Sequence, residues 1–518
     1  MSQESFIESI NNGYNVNGVH FPIGVAKYQG SPIADCKINV PVKMLNRHGL
    51  IAGATGTGKT KTLQIVAEGL SKSGVPVMLM DIKGDLSGMA AAGAINGFIE
   101  KRYAEMGYTY EPTAFPVELL TISQEKGTKL KATVIEFGPV LFSRILDLND
   151  TQSGIMSVLF KFSEDQALPL LDLKDVIKLI QYATEEGKAS IEKSYGKLSS
   201  ASLGTMLRKV IELQQQGGDL FFGERSFDPV DLMRYDARGY GMVNILRLVD
   251  IQDKPKLFSA CMLQLLAELY STLPEVGDMD KPKLVIFIDE AHLIFKEASK
   301  VLLEQIETIV KLIRSKGVGI IFCTQNPTDI PDGVLGQLGL KIQHALRAFT
   351  AKDRKEIKQT AENYPFSDYY KTEELLTQIG TAEAMITMLN EKGAPTPLVH
   401  LYLTSPQSRM DILNSQEIDQ LVSQSKLAPI YNQVIDRESA HEILSKRIEQ
   451  ILAEQEAEKQ AKTAEKRTST ATTTASGRVG RPKQEKSFLE TAMNSAAGKQ
   501  IQRSLVRTLF GVVQKMFK

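Results

Sequence analysis

The sequence predicts an α/β protein with a parallel-rich sheet, a helical insert and a helical or disordered C-terminal tail. Three observations carry that reading. From residue 49 onward, short apolar runs alternate with segments of helical period, the rhythm of strands joined by crossover helices. A glycine-rich stretch over residues 53–60 sits between one such run and one such helix. A further apolar run, Leu284–Ile288, ends in the adjacent acids Asp289 and Glu290.

In chain order, residues 18–42 carry short alternating runs broken by Gly, Pro and Asn, and read as small strands within a short β segment over 1–45. The core then opens with a strand at 49–52, a helix at 59–71 and a buried strand at 77–80. Residues 118–122 and 131–137 read as a hairpin. From 140 to 216 apolar residues recur at spacings of three and four, which predicts a helical insert dividing a core of 46–139 and 217–405. Strands are expected at 242–246, 284–289, 319–324, 340–346, 382–389 and 397–403, with helices at 255–273 and 298–315. Past Ser405 the core signals fade. Helices are expected over 406–467, a disordered linker over 468–486 and a basic amphipathic helix over 487–518.

A chain of 518 residues is too long for one compact core, and an apolar fraction of 42% supplies a sizeable interior. With 61 basic and 61 acidic residues the whole chain is no evident binder of polyanions. The balance is uneven, however. Residues 451–518 hold 13 Lys and Arg against 6 Asp and Glu, so the tail is the first candidate for non-specific attraction to polyanions. Cys36, Cys261 and Cys323 are widely spaced and odd in number, which argues against disulfides or a metal knuckle and for a reducing compartment. The first ten residues lack an apolar signal segment, and the longest apolar runs are too short to cross a bilayer. No integral membrane segment and a cytoplasmic location are therefore expected.

Gly53, Ala54, Thr55, Gly56, Thr57, Gly58, Lys59 and Thr60 fit the pattern of Gly, four free positions, then Gly-Lys-Thr. A loop that wraps a triphosphate needs glycines so that its amides turn toward the phosphate oxygens, and it must feed a helix whose positive end faces the anion. Both flanks satisfy this. The pattern points to ATP with magnesium, Lys59 neutralising the β and γ phosphates and Thr60 offering its hydroxyl to Mg2+. Along the later strand, Asp289 is the expected metal ligand and Glu290 the base that orients and deprotonates water. Two solvated acids closing a strand would be the plain alternative. His292, two residues on, is expected to be a structural or hydrogen-bonding partner, not a catalyst.

Asp289-Glu290-Ala291-His292 also spells the box of two-lobed helicases. Those enzymes place a Ser-Ala-Thr motif soon afterwards and an Arg-rich motif in a second lobe. Neither is present here, and Thr324-Gln325-Asn326-Pro327 follows instead. Gln325 closes the next buried strand, where a neutral amide suits sensing of the γ-phosphate and water. Arg347 and Arg354 come after it. Motors of this kind commonly borrow an arginine from a neighbouring subunit. A surface ion pair with Asp353 or Glu356 is the ordinary reading of either.

The stretches Arg47-His48-Gly49-Leu50-Ile51-Ala52-Gly53 and Met80-Asp81-Ile82-Lys83-Gly84-Asp85-Leu86, the Asp289-Glu290-Ala291-His292 strand end and Thr324-Gln325-Asn326-Pro327 together resemble the HerA and FtsK class of DNA-pumping ATPases. The chain is more closely similar to the bacterial HerA-like helicase-domain proteins, a likeness that reaches Leu148-Asn149-Asp150-Thr151-Gln152 in the insert. The resemblance implies a RecA-like core, a hexameric ring of identical subunits with ATP at their contacts, and duplex DNA in the pore. It implies Gln325 as the sensor and Arg354, or else Arg347, as the arginine supplied in trans. Asp85 matches an acid that follows the second core strand in this class. HerA proper carries an N-terminal β-barrel that docks a nuclease partner. The stretch before Gly53 is too short for a full one, so that partnership is not expected.

Gly477-Arg478-Val479-Gly480-Arg481-Pro482-Lys483 resembles a minor-groove hook, but such strings are common in basic linkers and the linker reading is preferred. Three functions compete on sequence grounds: a DNA-translocating ring ATPase, an ATPase that moves or assembles protein without DNA, and a module that binds nucleotide without turnover. The set Lys59, Asp289, Glu290 and Gln325 disfavours the last.

Overall fold

The computed structural model describes residues 2–277, 279–296 and 300–471. Its strands are β1 (His20–Tyr28), β2 (Ser31–Pro41), β3 (Gly49–Ala52), β4 (Val77–Asp81), β5 (Val117–Thr121), β6 (Thr128–Lys129), β7 (Val243–Arg247), β8 (Leu284–Ile288), β9 (Val318–Thr324), β10 (Leu340–Gln343), β11 (Glu383–Met388) and β12 (Val399–Leu403). They form one twelve-stranded sheet in the order β2, β1, β12, β11, β10, β3, β9, β8, β4, β7, β5, β6. From β10 to β6 every neighbouring pair is parallel, whereas β11, β12, β1 and β2 add an antiparallel wing.

The sequence explains the parallel half. β4, β8 and β9 are mostly Val, Ile, Leu, Met and Phe and are buried along their whole length, as strands covered by helices on both faces must be. Helices Lys59–Lys72, Pro255–Thr272 and Lys300–Ile313 supply crossovers. All twelve strands lie in a compact unit of residues 1–449; a second unit begins at Gln450, and its described residues are helical.

Several elements depart from the sequence reading. The expected hairpin at 118–122 and 131–137 does not form. β5 pairs in parallel with β6 on one side and with β7 on the other, and the 131–137 run enters helix Val134–Ile145. A capping box decides this, Thr133 and Glu136 each satisfying the other's backbone. The N-terminal segment holds helix Gln3–Gly13 as well as strands, with Phe6 and Ile10, four apart, buried in the core. Between β6 and β7 the chain is mainly helical, including Asp150–Asp165, Leu173–Thr184 and Ser200–Gln215. At the other end, helix Ala440–Ala471 takes in Thr468 to Ala471, the first residues of the expected linker. The rest of that linker and the basic amphipathic helix, residues 472–518, lie outside the described residues.

Candidate nucleotide site

The loop of residues 53–58 leaves β3 in the middle of the sheet and delivers Lys59 as the first residue of helix Lys59–Lys72. Two neighbouring strands hold it down. The Gly53 amide donates to the Thr324 carbonyl at the end of β9 (3.2 Å), and the Ala54 amide donates to the Ala345 carbonyl just past β10 (2.9 Å). Gly53 has φ +151°, and a Cβ there would lie 2.5 Å from His344 Cβ, so only glycine fits. The helix begins at Gly58 without a side-chain cap, which leaves its first amides free for an anion.

Inside the loop, Lys59 is 6% exposed and its Nζ donates to the carbonyls of Gly53 (2.6 Å) and Ala54 (3.1 Å). Burial and the nearby Lys83 charge pull its pKa below the usual lysine value. A buried ammonium resting on two neutral carbonyls is poised for a stronger anionic partner. Thr57 Oγ1 braces the loop from within by donating to the Ala54 carbonyl (2.7 Å). Beneath it lies His344, fully buried, with Nε2 2.9 Å from Thr62 Oγ1. Burial pulls this imidazole down to about 4, so it is neutral at pH 7. Thr60 is half-buried at the head of the helix.

Asp289 and Glu290 follow β8, which is separated from β3 only by β9. They are 3% and 6% exposed. Glu290 has φ +47°, an unfavourable conformation for a non-glycine residue and one found at functional sites. Lys83 Nζ, reaching over from the turn after β4, lies 2.6 Å from Glu290 Oε1 and 3.8 Å from Asp289 Oδ2. Burial pushes Asp289 up to about 6 despite Lys83, and Glu290 adds to the rise. Burial works on Glu290 too, but the Lys83 hydrogen bond and charge outweigh it and hold that carboxyl below its ordinary value. Glu290 is therefore ionised at neutral pH. Its Oε2 is buried without a hydrogen bond, and His292 Nδ1 stands 3.2 Å away.

Gln325 is exposed at the end of β9 and shares a cleft of about 320 Å³ with Ala54, Thr55 and Arg347. Arg354 does not join it. This residue lies on helix Ala351–Glu362 and lines a separate cleft with Lys371 and Glu373. Among the described residues neither arginine makes an ion pair, so the surface pairs with Asp353 or Glu356 do not form. Asp353 instead caps its own helix through the Thr350 amide.

Sequence reasoning passed over Lys83, Asp81 and His344 as parts of the site. Asp81 is buried and takes the amides of Gly84 (2.7 Å), Asp85 (3.2 Å) and Leu86 (3.1 Å), which fixes the turn that carries Lys83. Asp85 is half-buried, with Oδ1 unpaired. The signal for Lys83 was present: a lysine beside a glycine, directly after a buried strand.

These residues fit a magnesium ion carried by a nucleotide. Thr60 and Asp289 offer only oxygen donors, and among the described residues no group of three or more His, Cys, Asp or Glu side chains forms a dedicated metal cage. Mg2+ prefers such a sparse set, completing its shell with phosphate and water.

A phosphate loop opening a helix, with paired acids two strands away at the same C-terminal end of the parallel strands, defines the P-loop nucleotide-binding class with a RecA-like core. Residues 27–516 match the sequence model of the Helicase HerA-like C-terminal family, and the chain belongs to that family. It is 22% identical over 361 residues to the DNA double-strand break repair helicase HerA of Sulfurisphaera tokodaii, an alignment covering 66% of this chain and 62% of that protein. It is also 22% identical over 384 residues to the protein of the same name from Sulfolobus acidocaldarius, covering 70% and 66%. The chain thus spans about two thirds of the length of these relatives. Its fold is similar to that of the plasmid coupling protein TrwB in complex with ADP and Mg2+. The TM-score is 0.51 at 14% identity, covering 78% of this chain and 100% of that one.

Proposed function

We propose that this protein is an ATP-hydrolysing ring motor that works on duplex DNA in the cytoplasm. The observation that carries the ATPase reading is the meeting of the Lys59 loop with the buried pair Asp289 and Glu290 at the C-terminal ends of β3 and β8. Lys59 leaves its carbonyl partners for the β and γ phosphates, and the free amides at the helix start hold the same anion. Magnesium held by Thr60 and Asp289 supplies charge neutralisation at the phosphates. Glu290, ionised and partly freed of water, takes the proton of the attacking water, and Gln325 orients that water. Arg354 serves a neighbouring subunit's site, which requires a ring, taken here as a hexamer.

DNA as the track is supported by membership of a helicase family and by relatives named as DNA repair helicases. The rival, a motor that moves protein without DNA, is favoured by the chain's zero net charge. A reducing compartment accords with three buried free cysteines, and among the described residues no helix is long and apolar enough to cross a membrane.

One experiment separates these readings. ATP hydrolysis is measured with and without duplex DNA across a salt series, for the wild type and for Glu290→Gln. Stimulation by DNA that weakens as salt rises is expected. The variant is expected to lose roughly 10²- to 10⁴-fold in turnover while still binding nucleotide. Hydrolysis indifferent to DNA at low salt would remove DNA from the proposal, and full turnover in Glu290→Gln would remove the base.

A further inference from the structure

Two nearly buried carboxylates stand side by side after β8, and one cation meets both. Lys83 Nζ is 2.6 Å from Glu290 Oε1 and 3.8 Å from Asp289 Oδ2. The backbone that carries this lysine is fixed. Asp81 binds three successive amides of the turn, and Gly84 closes it at φ +77°, where a Cβ would press within 2.8 Å of Val249. The side chain is another matter. It is 38% exposed and ends a flexible four-carbon stem, so the ammonium is tethered at one end and free to swing toward solvent at the other. None of the three amide bonds that hold the turn involves the lysine side chain. The ammonium is therefore dispensable to the turn's shape, while it is the cation within ion-pair distance of both acids, and buried carboxylates are favoured by a paired counter-charge.

Resting on the reading of Asp289 as metal ligand and Glu290 as base, we propose that Lys83 is the counter-ion of these two acids before the metal-nucleotide complex binds. It offsets part of the charge of Asp289 and Glu290 while no nucleotide is bound, and it yields its place when a dication binds at Asp289. Two cations crowded against one carboxylate repel each other, and the mobile one is the lysine. While Lys83 holds Glu290 Oε1, that oxygen is engaged in a charge-assisted hydrogen bond and is withheld from water. When Lys83 leaves, the base is released. Lys83 is thus a positioning residue: it ties the availability of the base to arrival of the metal-nucleotide complex, so that an unloaded site holds no free base.

The test uses the full chain and compares nucleotide binding with and without metal. A fluorescent ADP is titrated into wild type and Lys83→Met, once with Mg2+ and once with excess EDTA. Methionine keeps most of the stem and removes the charge. In Lys83→Met no ammonium has to be displaced, so magnesium is expected to strengthen nucleotide binding by about tenfold more than it does in the wild type, about 1.4 kcal/mol. In EDTA the variant is expected to bind more weakly than wild type, because a cation beside the anion's site is gone. A merely structural lysine would shift both titrations equally, and that result overturns the proposal. Lys83→Arg, which restores a positive charge, is expected to return the magnesium benefit to the wild-type level or below; a benefit as large as that of Lys83→Met overturns it as well. Asp289→Asn in the same assay keeps the two layers apart. If that variant retains the full magnesium benefit, the ligand reading falls and this inference with it. If it loses the benefit while Lys83→Met matches wild type, only the inference falls.

Discussion

His48 shows how a single side chain links the elements around the nucleotide loop. It precedes β3 and is buried, with Nδ1 accepting the Ile320 amide of β9 at 3.0 Å. Burial, helped by the Arg314 charge, pulls its pKa down to about 4. Its folded pKa lies below the unfolded value of about 6.5, so its contribution to stability is complete above that pH and is lost as pH falls toward 4. Buried acids such as Asp81, pushed up to about 6 by burial, respond in the opposite direction, so the effect is best read as a difference between proteins. His48→Asn keeps an acceptor for Ile320 and cannot titrate. Wild-type stability relative to this variant should decline by about 1.4 kcal/mol per pH unit between 6.5 and 4, measured by urea denaturation. A constant difference would show that His48 is not held neutral. Lys59, Asp289 and Glu290 were legible in the sequence because a local motif encodes each. His344 and Lys83 were not, because their roles arise across the sheet: His344 meets Thr62 from 282 positions away.

At the scale of elements, the helix that begins with Lys59 is strapped along one face. Lys61 donates to the Met410 carbonyl, Gln64 to Ser408 Oγ (2.7 Å) and the Arg409 carbonyl (3.1 Å), and Lys72 to Gln407 Oε1. Glu68 accepts the amides of Gln407 (2.8 Å) and Ser408 (3.0 Å). Positions 61, 64, 68 and 72 form one stripe at spacings of three and four. The far side of the strap bonds to the segment after β4, through Gly93 to the Gln407 carbonyl and Arg409 to the Ala91 carbonyl. Hydropathy missed this packing because the strap is joined by polar groups and backbone, so core signals seem to end near Ser405. Apolar rhythm makes the strands of the parallel core readable, whereas the 131–137 run has a strand's composition and becomes a helix through the capping box of Thr133 and Glu136. Glu68→Ala leaves the part-buried Gln407 amide and the buried Ser408 amide without their acceptor and should cost about 2 to 4 kcal/mol in chemical denaturation. It should also weaken nucleotide binding, since the strap fixes the helix whose free end faces the phosphates. Unchanged stability would mean that the strap is not a fixed part of the fold.

At the scale of the whole molecule, the two arginines make different predictions about assembly. Arg347 borders the same cleft as Ala54 and Thr55, so on the proposed reading it serves the nucleotide of its own subunit. Arg354 is exposed, makes no ion pair among the described residues and lines a different cleft, so on the proposed ring reading it serves a nucleotide held by another copy. Arg354→Ala should retain nucleotide affinity and lose roughly 10³-fold or more in hydrolysis, the scale of a missing arginine finger. Mixing makes the geometry testable. In a ring assembled from Arg354→Ala and Lys59→Ala subunits, some contacts pair an intact Lys59 from one copy with an intact Arg354 from the next, and activity should partly return. Arg347→Ala mixed with Lys59→Ala should stay inactive, because both residues serve one subunit's loop and no subunit carries both intact. Recovery in the second mixture and not the first would reverse the two assignments. Recovery in neither would mean that no site is shared between copies, and the ring reading would fail with it.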